Sequence, residues 1–298
     1  MSGYYRFPTI NKSKVVFVAE DDLWSINIDN PKAYRLTTNI SEVSSPLISP
    51  DGKLIAFIGT EDGNNEVYIM PSNGGAATRL TYDGAFVKGI CAWENNDIIF
   101  STDLQQPFGR VSGLAKINKK GGQTQLLNYG IASNIALGGS AIVLGRNTAD
   151  PARWKRYKGG TAGELWISKD KKSKFKKLIS LDGNMACPMW INNRIYFISD
   201  HDGISNIYSC LATGRSLKQH TDHREYYARN ATTDGHKIVY HSGADIYTLD
   251  VKNDTYEKIE IEYNSSFVNR NRKFVSPSNY LEDISVNKDG SMVSYVCR

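Results

Sequence analysis

The residues with the clearest potential for chemistry lie in one basic stretch of the sequence, between positions 146 and 177. Its first half combines cationic, aromatic and glycine residues, namely Arg146, Arg153, Trp154, Lys155, Arg156, Tyr157, Lys158 and the run Gly159-Gly160-Thr161. Guanidinium and ammonium groups bind carboxylates and phosphates, and residues on long loops often carry binding functions. The stretch therefore indicates either a site for a carboxylate, a phosphate or a partner, or a loop that only packs over the fold.

Other catalytic patterns in the sequence are poor. The run 159–163 matches a nucleophile elbow with threonine in place of serine, but that motif requires a following helix. His220 and His223 flank Asp222 at a spacing that metal ligands can use, but no third ligand is evident. No Ser/His/Asp set is evident either. We therefore predict a chain with no catalytic residues, no metal site and no cofactor.

Composition and charge exclude several classes of protein. The 298 residues include 36 Lys and Arg against 31 Asp and Glu, a net charge of +5, and 40% are hydrophobic. These values are typical of a soluble protein with a core. No stretch reaches the roughly 18 apolar residues of a membrane span, and the N-terminus lacks a secretory signal. Cys91, Cys187, Cys210 and Cys297 form no Cys-x-x-Cys pair, which indicates buried, reduced thiols. We expect a cytoplasmic protein that does not bind membranes.

The elements that position the basic stretch are short strands in a repeating order. Runs rich in β-branched and aromatic residues alternate with Gly, Asn and Asp turns, and helical periodicity is almost absent. One run recurs as Asp22-Leu23-Trp24, Glu66-Val67-Tyr68, Glu164-Leu165-Trp166, Asn206-Ile207-Tyr208 and Asp245-Ile246-Tyr247, with a degenerate copy near Leu114 to Ile117. A repeat of about 40 to 50 residues is typical of a β-propeller with one blade per repeat. Six repeats predict an all-β, six-bladed β-propeller of four-stranded antiparallel blades, plus a partial further blade at the C-terminus.

The repeats divide the chain into three predicted segments. Residues 1–262 form the propeller, residues 263–278 form a linker, and residues 279–298 form the first two strands of a following, truncated propeller. Half a blade leaves a sheet edge and an apolar face uncovered, so either it closes onto the first blade or the chain is part of a longer protein. Residues 164–181 have some helical amphipathicity, but the repeat register predicts two strands around a lysine-rich turn.

The repeat register also separates the basic charges of the fourth blade. Residues 146–163 connect the second and third strands, whereas Lys169, Lys171, Lys172 and Lys174 fall in the turn from the third strand to the fourth. Those two connections lie on opposite faces of a propeller. Because nucleic-acid binding needs a continuous basic face, the division argues against nucleic acid as a partner.

Several stretches resemble the N-terminal six-bladed propeller of tricorn-type serine peptidases. They are Asp21-Asp22-Leu23-Trp24, Ser101-Thr102-Asp103, Gln106-Pro107-Phe108, Gly145-Arg146-Asn147-Thr148, Trp154-Lys155, Tyr157-Lys158-Gly159-Gly160-Thr161, Arg194 to Ile198, Tyr226-Tyr227 with Arg229, and Thr233-Asp234-Gly235. The resemblance covers nearly the whole chain. Its most specific part is Gly145 to Thr161, whereas the Asp-Gly turns are generic to TolB-type propellers.

The resemblance implies a function for the whole chain. Tricorn-type enzymes are large cytosolic peptidases that degrade oligopeptides, assemble as hexamers and carry their catalytic domains after the propellers. This chain would then be the non-catalytic N-terminal propeller, inactive by itself. It would form an axial channel for peptides or products and work with the remaining domains of the same polypeptide in a homo-oligomer. The alternative is a TolB-type propeller that serves as a protein–protein interaction scaffold.

The resemblance also implies a region that anchors carboxylates. In the family, basic residues near the channel meet the C-terminal carboxylate of the peptide, and they correspond here to residues 83–88. That loop lacks an arginine pair and keeps only Lys88, so Arg146, Arg153 or Arg156 on the same face would have to substitute. The candidate residues for binding a peptide carboxylate or a partner are Lys88, Arg146, Arg153, Trp154, Lys155, Arg156 and Lys158.

Overall fold

The computed structural model describes residues 3–38, 41–171, 173–267 and 275–298, and it divides into two compact units, Met1–Asn264 and Ser265–Arg298. In the first unit, the described strands form six four-stranded antiparallel sheets, each built from consecutive strands. The prediction of a six-bladed propeller is confirmed. No helix in the described part of the chain is long and apolar enough to cross a membrane.

The blades follow one another along the chain. Blade 1 contains β1 (Arg6–Asn11), β2 (Lys14–Ala19), β3 (Asp22–Asn27) and β4 (Asn30–Arg35), and blade 2 contains β5 (Val43–Ile48), β6 (Leu54–Gly59), β7 (Glu66–Pro71) and β8 (Thr78–Arg79). Blade 3 contains β9 (Val87–Glu94), β10 (Asp97–Thr102), β11 (Gly113–Asn118) and β12 (Gln125–Leu127), and blade 4 contains β13 (Asn134–Gly138), β14 (Ala141–Arg146), β15 (Glu164–Ser168) and β16 (Lys176–Lys177). Blade 5 contains β17 (Met185–Ile191), β18 (Arg194–Ser199), β19 (Asn206–Leu211) and β20 (Lys218–Gln219), and blade 6 contains β21 (Ala228–Thr233), β22 (Lys237–Ser242), β23 (Asp245–Asp250) and β24 (Thr255–Lys258).

Packing between neighbouring blades forms the core. The second strands read as nearly continuous apolar runs, because both faces of each sheet are covered by an adjacent blade. Between blades 2 and 3, for example, Ile58 and Val67 pack against Ile98 and Phe100. Removing apolar surface from water in this way stabilises the ring by about 25 cal/mol per Å².

A hydrogen-bonded cluster explains the acidic residue at the start of the recurring run. In blade 2 the carboxylate of Glu66, which is 1% exposed, accepts hydrogen bonds from the hydroxyl of Thr81 and from Arg79, the latter at 2.8 Å. The Thr81 hydroxyl also accepts the backbone N–H of Val67 at 2.9 Å. We call this arrangement the blade clasp. It recurs with Asp22 and Thr37 in blade 1 and with Asn206 and Thr221 in blade 5. The clasp joins the third strand of a blade to the segment after its fourth strand.

The ring closes between blades 6 and 1 without exchanging a strand. The first strands form the inner ring, in which β1 contacts both β5 and β21. Thr232 donates a hydrogen bond to the carbonyl oxygen of Pro8 at 2.9 Å. At the outer edge of blade 1, Ala33 donates to the carbonyl of Glu262 at 3.0 Å, and Glu262 donates to the carbonyl of Pro31 at 2.8 Å. The segment after the last blade therefore pairs with the first blade.

The propeller has two faces with different connections. We call the side that carries the second-to-third-strand connections and the links between blades the loop face, and the opposite side the turn face. The first strands of four blades contain a bulge with one residue in the left-handed region, namely Phe7, Ser45, Cys187 and Asn230, with φ near +50°. Ser45, Cys187 and Asn230 stay partly exposed along the inner ring.

The strand prediction for residues 164–181 is confirmed, since β15 and β16 flank the lysine-rich turn. Lys172 of that turn lies outside the described residues. In the second unit, β25 (Leu281–Val286) and β26 (Val293–Cys297) form an antiparallel hairpin after a short 3₁₀ helix at Pro277–Asn279, which confirms the partial further blade. Residues 268–274, part of the predicted linker, also lie outside the described residues.

The cysteines differ from one another in burial. Cys210 is buried, Cys91 and Cys187 are half-buried, and Cys297 is exposed, all as free thiols. The prediction that all four are buried is therefore wrong for Cys297, which lies in a hairpin whose two strands are exposed along their length. An apolar strand pattern indicates a core position only where another element covers the strand.

Candidate functional site

The candidate loop of blade 4 runs across the loop face to blade 6. This connection between β14 and β15, residues 147–163, is called the strap. Asp150 of the strap forms an ion pair with Arg229 on the first strand of blade 6. Further along, the ammonium group of Lys155 lies 5.3 Å from the ring centre of Tyr227, just before that strand. The strap therefore links two blades that are not neighbours in the ring.

A buried carboxylate of blade 5 fixes the middle of the strap. Asp200 is 1% exposed and accepts hydrogen bonds from the backbone N–H groups of Arg156 at 2.7 Å and Asn184 at 2.6 Å. The side-chain amide of Asn184 donates to the carbonyl of Trp154 at 3.0 Å. Arg156 has φ of 55°, a left-handed conformation that a non-glycine residue adopts only where its surroundings hold it. The backbone of the strap is thus anchored, while the side chains of Arg153 to Arg156 remain exposed.

Four of the seven predicted site residues lie together on this strap. Arg153, Trp154, Lys155 and Arg156 are consecutive and exposed. The Trp154 side chain is 59% exposed, and its ring centre lies 5.3 Å from that of Tyr157. An exposed indole beside three cations suits contact with a carboxylate-bearing peptide or a protein surface.

The other three predicted residues are already engaged. The Lys88 ammonium donates to the carbonyls of Gly109 at 2.8 Å and Val111 at 2.9 Å and to the hydroxyl of Ser112 at 3.0 Å, which uses all three of its N–H groups. Burial lowers the pKa of Lys88. Lys158 pairs with Asp182 at 2.5 Å.

Arg146 lies away from the four strap residues. Its guanidinium carbon is 4.4 Å from the ring centre of Trp166. Since Arg146 follows Ile142 and Leu144 at period two, it extends the side of β14 that packs against blade 3. Arg146 therefore belongs to the groove between blades and not to the strap surface.

The sequence did not single out the group of residues around Arg229. His241 is fully buried, its two ring nitrogens have no hydrogen-bond partner among the described residues, and it lies opposite Arg229 in the register of β21 and β22. Burial, and secondarily the charge of Arg229, lowers the pKa of His241 to about 4. Arg6, on the first strand of blade 1, and Tyr4 also interact with this group. No local sequence signal brings these residues together, because they come from different blades.

Exposed apolar side chains concentrate on the loop face. Those in its connections are Tyr4, Tyr82, Phe86, Phe108, Ile131, Trp154 and Tyr226. In the turns of the opposite face, Leu217 is the exposed large apolar residue within the described chain. Isolated exposed apolar residues are normal on protein surfaces, but their concentration on one face is typical of a surface that contacts other proteins.

The structure contains a Ser–His–Asp set that was not evident in the sequence. Ser209 Oγ lies 2.7 Å from Nε2 of His220, and Nδ1 of His220 is hydrogen-bonded to Asp254. However, Ser209 is 0% exposed and also accepts a hydrogen bond from Arg194 at 2.8 Å. A nucleophile must reach the substrate carbonyl, so this set stabilises the contact between blades 5 and 6 and is not arranged for acyl transfer.

His220 and His223, the two candidate metal ligands, do not point towards a common site. Both ring nitrogens of His220 are engaged by Ser209 and Asp254, while Nε2 of His223 lies 2.9 Å from the hydroxyl of Tyr240. Within the described residues, no group of three or more His, Cys, Asp or Glu side chains is placed to hold a metal ion.

Comparison with known proteins agrees with the fold. Residues 2–255 match the family described as "Tricorn protease N-terminal beta propeller domain". The chain is 37% identical to the "Tricorn protease homolog" of Saccharolobus solfataricus, over 100% of this chain and 28% of that protein. It is 31% identical to the "Tricorn protease" of Thermoplasma acidophilum, over 98% of this chain and 28% of that protein. It superposes on the crystal structure of the tricorn protease with a TM-score of 0.86 at 30% identity, covering 99% of this chain and 30% of that one. The chain thus spans less than a third of these relatives.

Proposed function

Because this chain belongs to the tricorn protease family, as an N-terminal propeller domain, we propose that it is the non-catalytic propeller of a larger serine peptidase. Oligopeptides or their products pass along its axis. The observation that carries this proposal is the inner ring, where Ser45, Ile90, Cys187 and Asn230 remain partly exposed although they lie within the strands closest to the axis. A propeller of this kind has a central channel lined by its first strands.

Absence of catalysis is the first test of this function. Purified residues 1–298 should not cleave fluorogenic peptides, because Ser209, the serine of the one Ser–His–Asp set found in the described chain, is 0% exposed. Hydrolysis that a serine-directed inhibitor abolishes would overturn the non-catalytic assignment. The variant Ser209→Ala would then show whether that set is responsible.

Passage along the axis is the second test. In the peptidase that carries this propeller, Ser45→Trp and Asn230→Trp would place indoles in the inner ring, whereas Thr78→Trp would place one on an exposed outer strand. The first two variants should slow the turnover of oligopeptides and leave the reaction with an active-site titrant unchanged. Equal turnover of oligopeptides in all three variants would contradict the proposed channel function.

The strap surface is the proposed contact for a peptide carboxylate or a partner. Arg153, Trp154, Lys155 and Arg156 carry this role, because the remaining candidates are bound within the fold. A second function, a scaffold that binds a protein partner, is favoured by the exposed apolar side chains of the loop face. A partner retained by residues 1–298, and lost when Trp154 and Arg156 become alanine but not when Leu217 on the turn face does, would support it.

The location, oligomeric state and partners of the peptidase are also proposals. We place the peptidase in the cytoplasm as a homo-oligomer, in which this propeller works with the remaining domains, without nucleic acid or a membrane. Lys169, Lys171 and Lys174 lie on the turn face, whereas Arg153 and Arg156 lie on the loop face, so the basic charge is divided. Retention on DNA or RNA with a steep salt dependence would contradict this assignment.

A further inference from the structure

The carboxylate of Asp150, in the strap, forms an ion pair with the guanidinium group of Arg229, in the inner ring. Oδ2 of Asp150 accepts Nε of Arg229 at 2.7 Å and its terminal nitrogen at 2.5 Å, while Oδ1 accepts the backbone N–H of Ala152 at 3.0 Å. Both side chains are largely, but not fully, buried, at 23% and 30% exposure. Asp150 belongs to blade 4 and Arg229 to blade 6, so this pair holds the first part of the strap over the inner ends of the blades.

Besides Asp150, three polar side chains lie around Arg229, namely Tyr4, Arg6 and His241. Tyr4 reaches the same guanidinium. Arg6 forms ion pairs with Asp21 at 3.5 Å and with Glu42 at 3.9 Å, both longer than the pair between Asp150 and Arg229. His241 is fully buried with two ring nitrogens that have no hydrogen-bond partner among the described residues. A buried polar side chain without a protein partner is rare, and its hydrogen bonds are completed by water, by a ligand or by a rearrangement.

We propose that Arg229 is a carboxylate-binding site at the axis, that Asp150 fills this site in the free protein, and that a peptide carboxylate displaces Asp150 and releases the first part of the strap. The ligand carboxylate is either a peptide C-terminus or an acidic side chain, and this choice of ligand rests on the proposed peptide passage. Asn147, at the start of the strap, has φ of 54°, which places a left-handed residue where the strap leaves β14. Breaking the pair frees the part of the strap between Asn147 and the anchor at Arg156, where Asp200 accepts the backbone N–H.

The internal carboxylate acts as a competitor. A ligand binds only the fraction of molecules in which Asp150 has left Arg229, so the apparent affinity is reduced by that fraction. A hydrogen bond between charged groups of this kind leaves an open fraction of roughly one tenth or less. Asp150→Asn, which has the same shape without the charge, should therefore raise the affinity for a carboxylate by about tenfold.

The test measures the binding of small peptides to residues 1–298 by calorimetric titration. N-acetyl-dialanine and N-acetyl-glutamyl-alanine amide carry the carboxylate at the C-terminus or on a side chain, and N-acetyl-dialanine amide carries none. Asp150→Asn should strengthen binding of at least one carboxylate peptide about tenfold, and Arg229→Lys should weaken it. Asp62→Asn, which removes an exposed acid paired with an arginine in blade 2, is the matched control and should change nothing, since Arg79 keeps its pair with Glu66. Melting curves establish that every variant is folded.

Hydrogen exchange measures the strap itself. The amides of Ala152 and Arg153 bond to Asp150, so they should exchange faster in Asp150→Asn and in the wild type saturated with a carboxylate peptide. Binding of both carboxylate peptides no tighter than that of N-acetyl-dialanine amide, unchanged affinity in Asp150→Asn, or no binding even to that variant would overturn the proposal. If carboxylates bind as expected while the tryptophan variants of the inner ring leave turnover unchanged, the carboxylate site at Arg229 is supported and the channel function is contradicted.

Discussion

Replacing Thr81 with valine should destabilise the propeller far more than the same change three residues earlier. The Thr81 hydroxyl donates to the buried carboxylate of Glu66 and accepts the N–H of Val67 at 2.9 Å. Valine has the same shape but leaves the N–H of Val67 unpaired and removes one hydrogen bond to Glu66, which keeps the one from Arg79. A lost hydrogen bond to a charged group and an unsatisfied buried N–H together cost about 3 kcal/mol. Thr78→Val, on the exposed fourth strand that precedes Thr81, should stay within about 0.5 kcal/mol of the wild type.

The clasp of blade 5 supplies a second comparison with the same geometry and no charge. There Thr221 donates to the amide oxygen of Asn206 at 2.8 Å and accepts the N–H of Ile207 at 2.9 Å. Because hydrogen bonds between neutral groups contribute about 0.5 to 1.5 kcal/mol, Thr221→Val should cost about 2 kcal/mol. In a Glu66→Gln background, the cost of Thr81→Val should fall to a similar value.

Urea unfolding measures these differences as shifts of the midpoint at constant slope. For a unit of this size, about 3 kcal/mol also corresponds to a fall in melting temperature of roughly 6 to 12 °C. If Thr81→Val costs no more than Thr78→Val, the clasp does not stabilise the blade. If Thr221→Val costs as much as Thr81→Val, the charge of Glu66 does not explain the difference.

Three further predictions concern other buried groups. The pKa of His241 is about 4 in the folded protein and about 6.5 in the unfolded chain. The free energy of unfolding should therefore fall as the pH drops from 6.5 towards 4, by up to about 3 kcal/mol. Urea unfolding at pH 7 and pH 5 should show a smaller difference in His241→Leu than in the wild type. Asp200→Asn should speed hydrogen exchange in the strap more than tenfold, whereas Asp202→Asn nearby should not. Iodoacetamide should label Cys297 first and Cys210 last by mass spectrometry, since Cys297 is exposed and Cys210 is 0% exposed; equal rates would contradict the assigned burial.

The strands and the blade count could be predicted because their signals are local. Asp-Gly and Asn-Asn turns require particular backbone angles, and apolar runs such as Val15 to Ala19 become second strands covered on both faces. The predicted split of the lysines from the strap follows from the order of β14, β15 and β16 alone. The exposed Cys297 shows the limit of this reasoning, since burial depends on what covers a strand and not on the strand itself.

The candidate site was predicted only in part, because side-chain availability depends on distant partners. Arg153 to Arg156 are exposed, as a long basic loop indicates. The sequence predicts Lys88 as a candidate site residue, but its ammonium group donates hydrogen bonds to the carbonyls of Gly109 and Val111. Ser209 and His220 are close in sequence, yet Asp254, which completes the set, comes from the next blade.

The sequence by itself determined the repeat, the strand order, the connection that becomes the strap, and the residue types of the clasps. Each of these depends on neighbours within one blade, where spacing translates directly into geometry. Only the tertiary structure decided that Asp150 meets Arg229, that His241 is buried beside them and that Ser209 is out of reach of a substrate. These contacts join residues that closure of the ring brings together, and no pattern within a single repeat specifies which blade a loop reaches.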